Sequence, residues 1–242
     1  MLIKVASIGI ELEGGINRDD LEKIKEKYNA TERLAIGRDG SVYVSGKDIK
    51  DAEIKFWSES VQELLNFVKF VFNNNFKQNS SCGNHMHFKF NDTYTAVALF
   101  SFKKFYKMFI REYIKKFNNN EKYLNRLKNN YCKASYKENI IIQQLINKQK
   151  CSARYTAINL NSYNVHQTME IRILPHFDSY TEAKDSILFV VNTVQKILNS
   201  LYEKNNILIV SKNIKINKYQ FDFNNIIIVK KYDINKLLDK NN

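Results

Sequence analysis

An α+β fold with a largely antiparallel sheet is what this 242-residue sequence predicts, on three observations. Strand-like runs of period two alternate with helical runs of period 3.6. The strand-like runs lie close together in sequence, which suits antiparallel neighbours better than parallel crossovers. Ligand-type side chains also recur at every second position of several runs whose other positions are apolar, so one sheet face carries polar chemistry.

The elements follow in order. MLIKVASIGIELEG reads as a first strand, and RDDLEKIKEKY as a helix capped by Asn17 or Asp19. SVYVSG and AEIKFWS are short β-rich runs that could pair as a hairpin around GKDIKD. VQELLNFVKFVFNNNF has apolar residues at 61, 64, 65, 68, 71 and 72, the spacing of a helix that closes at an Asn run. GNHMHFKF alternates as a strand. Two helical stretches follow at about 93–117 and 121–149, with ENIIIQQLI ambiguous. RYTAINLNS and TMEIRIL read as adjacent strands joined by the turn-like YNVHQ, and TEAKDSILFVVNTVQKILNSLYEK as a long helix. From 206 the tail returns to β-rich runs, ILIV and NIIIV. Residues 1–205 thus form one catalytic-type domain with a basic helical insertion at about 93–150, and 206–242 a β-rich extension of it.

Composition narrows the class. With 44% hydrophobic and 26% charged residues, the chain has a globular balance and material for a substantial core. No stretch has 18 apolar residues free of charge, so no membrane span is expected, and the first residues lack a cleavable signal pattern. Cys82, Cys132 and Cys151 are odd in number and irregularly spaced, which points to a reducing compartment, the cytoplasm. The net charge of +13 is uneven: residues 103–150 hold 13 Lys or Arg against Glu112, Glu121 and Glu138. That segment is either a surface for anions, nucleic acid included, or a set of solvated lysines from a Lys- and Asn-rich codon bias.

Four motifs carry candidate chemistry. In IGIELEGG, Glu11 and Glu13 point to one strand face, where like charges need a cation, a proton or a basic side chain between them. The glycine pair behind them lets a ligand or another backbone approach, although a solvated acidic edge gives the same pattern. In SSCGNHMHFKF, His85, His87 and Lys89 share a face, a metal- or phosphate-contact spacing that buried, hydrogen-bonded histidines also produce. In TMEIRIL, Glu170 and Arg172 offer an acidic ligand and a fork-shaped donor, or simply an ion pair. GRDGSVYVSGKDIKDAEIKFWS adds Asp39, Ser41 and Glu53, with RDGS alone an ordinary turn. Together the carboxylates and imidazoles suit Mg²⁺ or Mn²⁺ better than a closed zinc site, and an arginine beside such ions suits phosphoryl chemistry.

The order IGIELEGG, RDGS, AEIKFWS, CGNHMHF, RYTAINLNS, MEIRIL resembles the amidoligase family of the glutamine synthetase-like carboxylate–amine ligases, over roughly residues 8–177. The resemblance implies an antiparallel sheet forming a concave active-site floor, helices packed behind it, and two or more Mg²⁺ (or Mn²⁺) ions holding ATP. By motif it implies Glu11, Glu13, Glu53, His85 and Glu170 as metal ligands. His87 and Arg172 would meet the ATP phosphates, with Arg154 and Asn159 assisting at the nucleotide or acyl phosphate. Arg172, Arg154 and Glu53 become the catalytic candidates. Asp39 and Ser41 match a supporting turn, and Arg126 and Tyr131 would line the substrate side. The implied reaction joins a small-molecule or peptide carboxylate to an amine through an acyl phosphate.

Three other readings stand beside the ligase. One is a phosphotransferase that stops at a phosphorylated carboxylate or guanidino group. Another is a basic nucleic-acid-binding or structural protein on a degraded ligase fold, using residues 103–150. The last is a metal-dependent hydrolase centred on His85 and His87, which lacks the further His or Asp cluster such a site needs. Homo-oligomerisation is compatible with the sequence, which gives no direct sign of it.

Overall fold

The structure, a computed structural model, describes residues 3–28, 32–38, 40, 42–46, 48–205, 207–211 and 226–230. Strand β1 (Val5–Asn17) leads into helix α1 (Arg18–Tyr28), then β2 (Leu34–Gly37), β3 (Ile49–Ser58), α2 (Val61–Asn73) and β4 (Gly83–Phe90). Four helices follow: α3 (Thr93–Ser101), α4 (Lys103–Phe117), α5 (Glu121–Arg126) and α6 (Glu138–Ile146). The chain continues with β5 (Ile158–Asn159), α7 (Asn161–His166), β6 (Met169–Pro175), α8 (Tyr180–Asn205), β7 (Ile207–Ser211) and β8 (Ile226–Lys230).

The architecture is α+β. Six strands form one open sheet in the order β2-β3-β1-β4-β6-β5, with every neighbouring pair antiparallel. β7 and β8 make a separate antiparallel pair.

Strand alternation sorts the sheet into two faces. Ile8, Ile10, Leu12, Ile54, Phe56, Met86 and Phe88 share one face, each 1% exposed or less. Helices cover it: the Phe56 ring stacks on Phe67 of α2 with centroids 4.2 Å apart, and α8 packs against α2, α3 and α4. At about 25 cal/mol per Å² of apolar surface removed from water, this layer supplies most of the driving force for folding. Polar ties cross it as well, among them the Tyr113 hydroxyl of α4 donating to the Ile173 carbonyl of β6 at 3.0 Å. The opposite face bears Glu11, Glu13, Glu53, Lys55, His85, His87, Glu170 and Arg172.

Several elements differ from their sequence expectations. SVYVSG is no hairpin partner: β3 pairs instead with Leu34–Gly37, Ile36 opposite Ile54. Val42 and Val44 form a small satellite cluster with Cys82, which explains their apolar alternation. The stretch expected as one helix over 121–149 divides into α5 and α6, separated by a loop around Cys132 that bridges Lys133 to Thr156. Of RYTAINLNS only Ile158–Asn159 is strand, and Arg154 lies in a 3-10 turn over Ser152–Arg154. The turn-like YNVHQ is the end of α7, closed by Gln167 in the left-handed conformation at φ 57°. Asp39 and Ser41 fall outside the described residues.

Candidate metal- and anion-binding cleft

Register decides which side chains meet. β1 runs between β3 and β4, so Glu11 lies opposite Lys55 on one side and His85 on the other, while Glu13 lies opposite Glu53. Across β6, Glu170 lies opposite His87 and Asn159. A strand step of two residues then places all of them on the uncovered face.

His85 is the group that separates Glu11 from Glu13. Its Nδ1 is 3.0 Å from Glu11 Oε2 and 3.3 Å from Glu170 Oε1, and its Nε2 is 3.6 Å from Glu13 Oε1. Glu13 Oε2 accepts the Gly83 backbone N–H at 2.6 Å. Lys55 Nζ lies 2.9 Å from Glu11 Oε1 and 2.9 Å from Glu53 Oε2. Arg172 Nη1 donates to Glu170 Oε1 at 2.5 Å. The glycine pair admits backbone rather than ligand: Gly15 exchanges hydrogen bonds with Lys77 at 2.7 and 2.8 Å.

These contacts set the charge states. Burial would raise the Glu11 carboxyl, but the His85 hydrogen bond and the His87 imidazole facing it hold it well below the usual carboxylate range. Burial is likewise outweighed at Glu170, chiefly by the Arg172 charge, and the carboxyl is lowered. Glu53 moves the other way, because burial and the neighbouring Glu11 charge exceed the pull of Lys55.

Glu11, His87 and Glu170 each offer one ligand atom, and the three atoms lie within 4.8 Å of one another. The orientation of His87 is fixed from behind, with Nδ1 2.9 Å from Thr168 Oγ1 and 3.2 Å from Ser162 Oγ. Its Nε2 is buried and makes no well-formed hydrogen bond, although Glu11 Oε1 is 3.2 Å away. An imidazole tethered at one nitrogen and aimed by the other at two carboxylates is how metal-bound histidines are commonly held. Two carboxylates and one imidazole fit a hard divalent cation such as Mg²⁺ or Mn²⁺.

A cleft of about 260 Å³ opens above this trio. Its carboxylates are Glu11, Glu53 and Glu170, and its basic side chains are Arg38, Lys55, Lys150, Arg154 and Arg172. An acidic floor beneath basic walls can hold a cation and the anion that the cation accompanies. A second groove, of about 490 Å³, continues along β3, β1 and β4 past Gly9, Trp57 and Lys89, and shares Glu11, Lys55, His87 and His166 with the first.

The residues singled out by sequence take different positions. Glu11, Glu53, His85, His87, Glu170, Arg172, Arg154 and Asn159 all line the cleft. Glu13 is engaged by His85 and Gly83 rather than by the trio. Asn159 holds Glu170 in place, its Nδ2 donating to Glu170 Oε2 at 2.6 Å and its Oδ1 accepting from Asn161 N at 3.0 Å. Arg126 donates to the Arg172 carbonyl at 3.2 Å, and the Tyr131 carbonyl accepts from Arg172 Nε at 3.4 Å, so both brace Arg172.

Lys55, Arg38, Lys150, Ser162, His166, Thr168 and Gln144 were missed by sequence reasoning. Lys55 alone carried a signal, standing two residues from Glu53 in the same strand. Gln144 of α6 is fully buried and pins the segment that bears Arg154: Nε2 donates to Ala153 O at 2.7 Å, and Oε1 accepts Leu160 N at 3.0 Å.

Compared with known proteins, the chain matches no family model, no curated protein and no solved structure.

Proposed function

We propose that the protein is an ATP- and Mg²⁺-dependent carboxylate–amine ligase with a glutamine synthetase-like catalytic fold. The observation that supports this best is the convergence of Glu11, His87 and Glu170 beneath Arg154 and Arg172 in one cleft. The motif order Glu-x-Glu, His-x-His, Glu-x-Arg, which resembles the amidoligase family, is consistent with it.

Glu11, His87 and Glu170 would hold the divalent ion, which supplies neutralisation of phosphate charge when bound. Arg172, buttressed by Glu170, and Arg154 from the 3-10 turn would bind phosphate oxygens, where a planar fork is worth more than a point charge. Fixed donors of this kind stabilise charge developing during phosphoryl transfer without reorganising. The substrate carboxylate attacks the γ-phosphorus, the bond to the bridging oxygen breaks, and ADP leaves with its electron pair. The neutral amine then attacks the acyl carbon, the acyl C–O bond breaks with its electrons on the departing phosphate, and that phosphate takes the amine's proton as the amide forms. No protein nucleophile is required.

Calorimetry with ATP and Mg²⁺ on the full chain tests the reading. Binding is expected to need Mg²⁺, to be lost in Glu170→Gln, and to weaken at least about tenfold, or about 1.4 kcal/mol, in Arg154→Ala. A folded native chain that binds no nucleotide overturns the proposal. ADP release sustained only when an amine is present separates a ligase from a phosphotransferase.

A further inference from the structure

The family resemblance implies at least two metal ions, yet a lysine stands among the carboxylates that would share them. We propose that the site takes a single divalent ion, at Glu11, His87 and Glu170, and that the Lys55 ammonium occupies the second cation position between Glu11 and Glu53. The inference rests on reading the cleft as a metal centre.

Four observations carry it. Lys55 Nζ is equidistant, at 2.9 Å, from Glu11 Oε1 and Glu53 Oε2, which is bridging geometry for a cation. The backbone enforces this placement, because Lys55 is the register partner of Glu11 and lies two residues along β3 from Glu53. While Lys55 fills the gap, the other carboxylate and imidazole pair with each other: Glu13 accepts from Gly83 N at 2.6 Å and faces His85 Nε2, and His85 Nδ1 faces Glu11 and Glu170. His87 Nε2, by contrast, is buried with no well-formed hydrogen bond, only Glu11 Oε1 at 3.2 Å, and is aimed at the first ion's position.

Charge agrees with the count. One divalent ion, the Lys55 ammonium and the Arg172 guanidinium balance Glu11, Glu13, Glu53 and Glu170, whereas a second divalent ion would leave an excess of positive charge in the nucleotide-free site. A tethered ammonium also cannot dissociate, so the Glu11–Glu53 pair stays neutralised at any metal concentration. The site would then depend on free metal to the first order only.

Mn²⁺ titration of the full-length protein, followed by calorimetry and by the electron paramagnetic resonance of the bound ion, is the test. The native chain is expected to bind one Mn²⁺ with an isolated-ion spectrum. Lys55→Met keeps the aliphatic stem but removes the charge, and is expected to bind two ions with the broadened signal of a coupled pair. Lys55→Arg restores a fixed cation and is expected to return the count to one. Two ions in the native chain, or one in a folded Lys55→Met, overturn the inference while leaving the metal-centre reading intact. No Mn²⁺ on the folded native chain overturns the metal centre itself.

Discussion

Asp20 lies in the first turn of α1, and its surroundings make it an acid-sensitive point. Its Oδ2 accepts from Asn17 Nδ2 at 2.7 Å and Asn75 Nδ2 at 2.9 Å, and its Oδ1 from Lys23 Nζ at 2.7 Å. Asn17 Oδ1 in turn accepts the Asp20 N–H at 2.8 Å, a reciprocal cap. The Lys23 bond, with those from Asn75 and Asn17, lowers the carboxyl from its usual 3.8 to about 2. A lowered carboxyl stabilises the fold at pH above its unfolded value, and that contribution disappears as pH falls through the folded one. Asp20→Asn is therefore expected to cost about 1 kcal/mol at neutral pH, the usual scale of a lost cap, and to converge on the native stability near pH 2. Urea melts across that range give the result, and a gap that persists at pH 2 would contradict it. Asn17 as the cap was readable from sequence, because capping is local. The bond from Asn75 was not, since it crosses 55 positions that only the fold brings together. The same distinction holds in the cleft. Glu11, His85 and Glu170 announce themselves by spacing within a strand, but the role of Lys55 depends on which residue of β1 it faces.

At the scale of elements, close packing behind β1 gives two contrasting glycines. A Cβ at Gly14 would sit 2.5 Å from the Lys77 carbonyl oxygen and also meet the Phe76 ring. A Cβ at Gly83 would meet instead the guanidinium end of Arg126. Backbone and a packed ring yield less readily than the tip of a long side chain. Gly14→Ala is expected to lower stability by about 2 kcal/mol or more, within the usual cost of overpacking. Gly83→Ala is expected to cost less in thermal unfolding but to disturb nucleotide binding, since Arg126 braces the Arg172 carbonyl. Equal melting temperatures for the two variants would refute this ranking. Gln144→Leu tests the other wall of the cleft. It strands the Leu160 N–H, whose burial unpaired costs about 1–3 kcal/mol, and frees the turn that carries Arg154. Long periodic runs such as α2 and α8 were legible because burial repeats every third or fourth residue. The 127–137 loop and α7 were not, because their shape follows from side-chain to backbone bonds such as Asn164 Nδ2 to Leu145 O at 2.6 Å. Periodicity says nothing about those.

For the molecule as a whole, charge is divided between two sides of the sheet. The cleft occupies the face that α2 leaves open, while α4 lies in the helical layer, turning Phe105, Phe109, Tyr113 and Phe117 inward. Its outer ridge carries Lys103, Lys107 and Arg111 at helical spacing beside the exposed Ile114. Among the described residues, no helix is long and apolar enough to cross a membrane. A basic ridge of this kind is a solvated surface or a contact for anionic polymers. A +13 chain attracts nucleic acid at low ionic strength whatever its function. What discriminates is the salt dependence, because each phosphate neutralised adds about 0.9 to the slope of log affinity against log salt. Fluorescence anisotropy with a short duplex is expected to show weak binding that vanishes near 0.15 M salt, roughly where the screening length falls to 8 Å. Reversing Lys103, Lys107 and Arg111 to Glu is expected to flatten that slope and to leave Mg²⁺-dependent ATP binding unchanged, since the ridge and the cleft lie on opposite layers. Tight duplex binding that survives physiological salt and is lost on reversal would shift the weight from the cleft to the ridge. Unchanged ATP affinity in the same variant would then show that the two surfaces work independently.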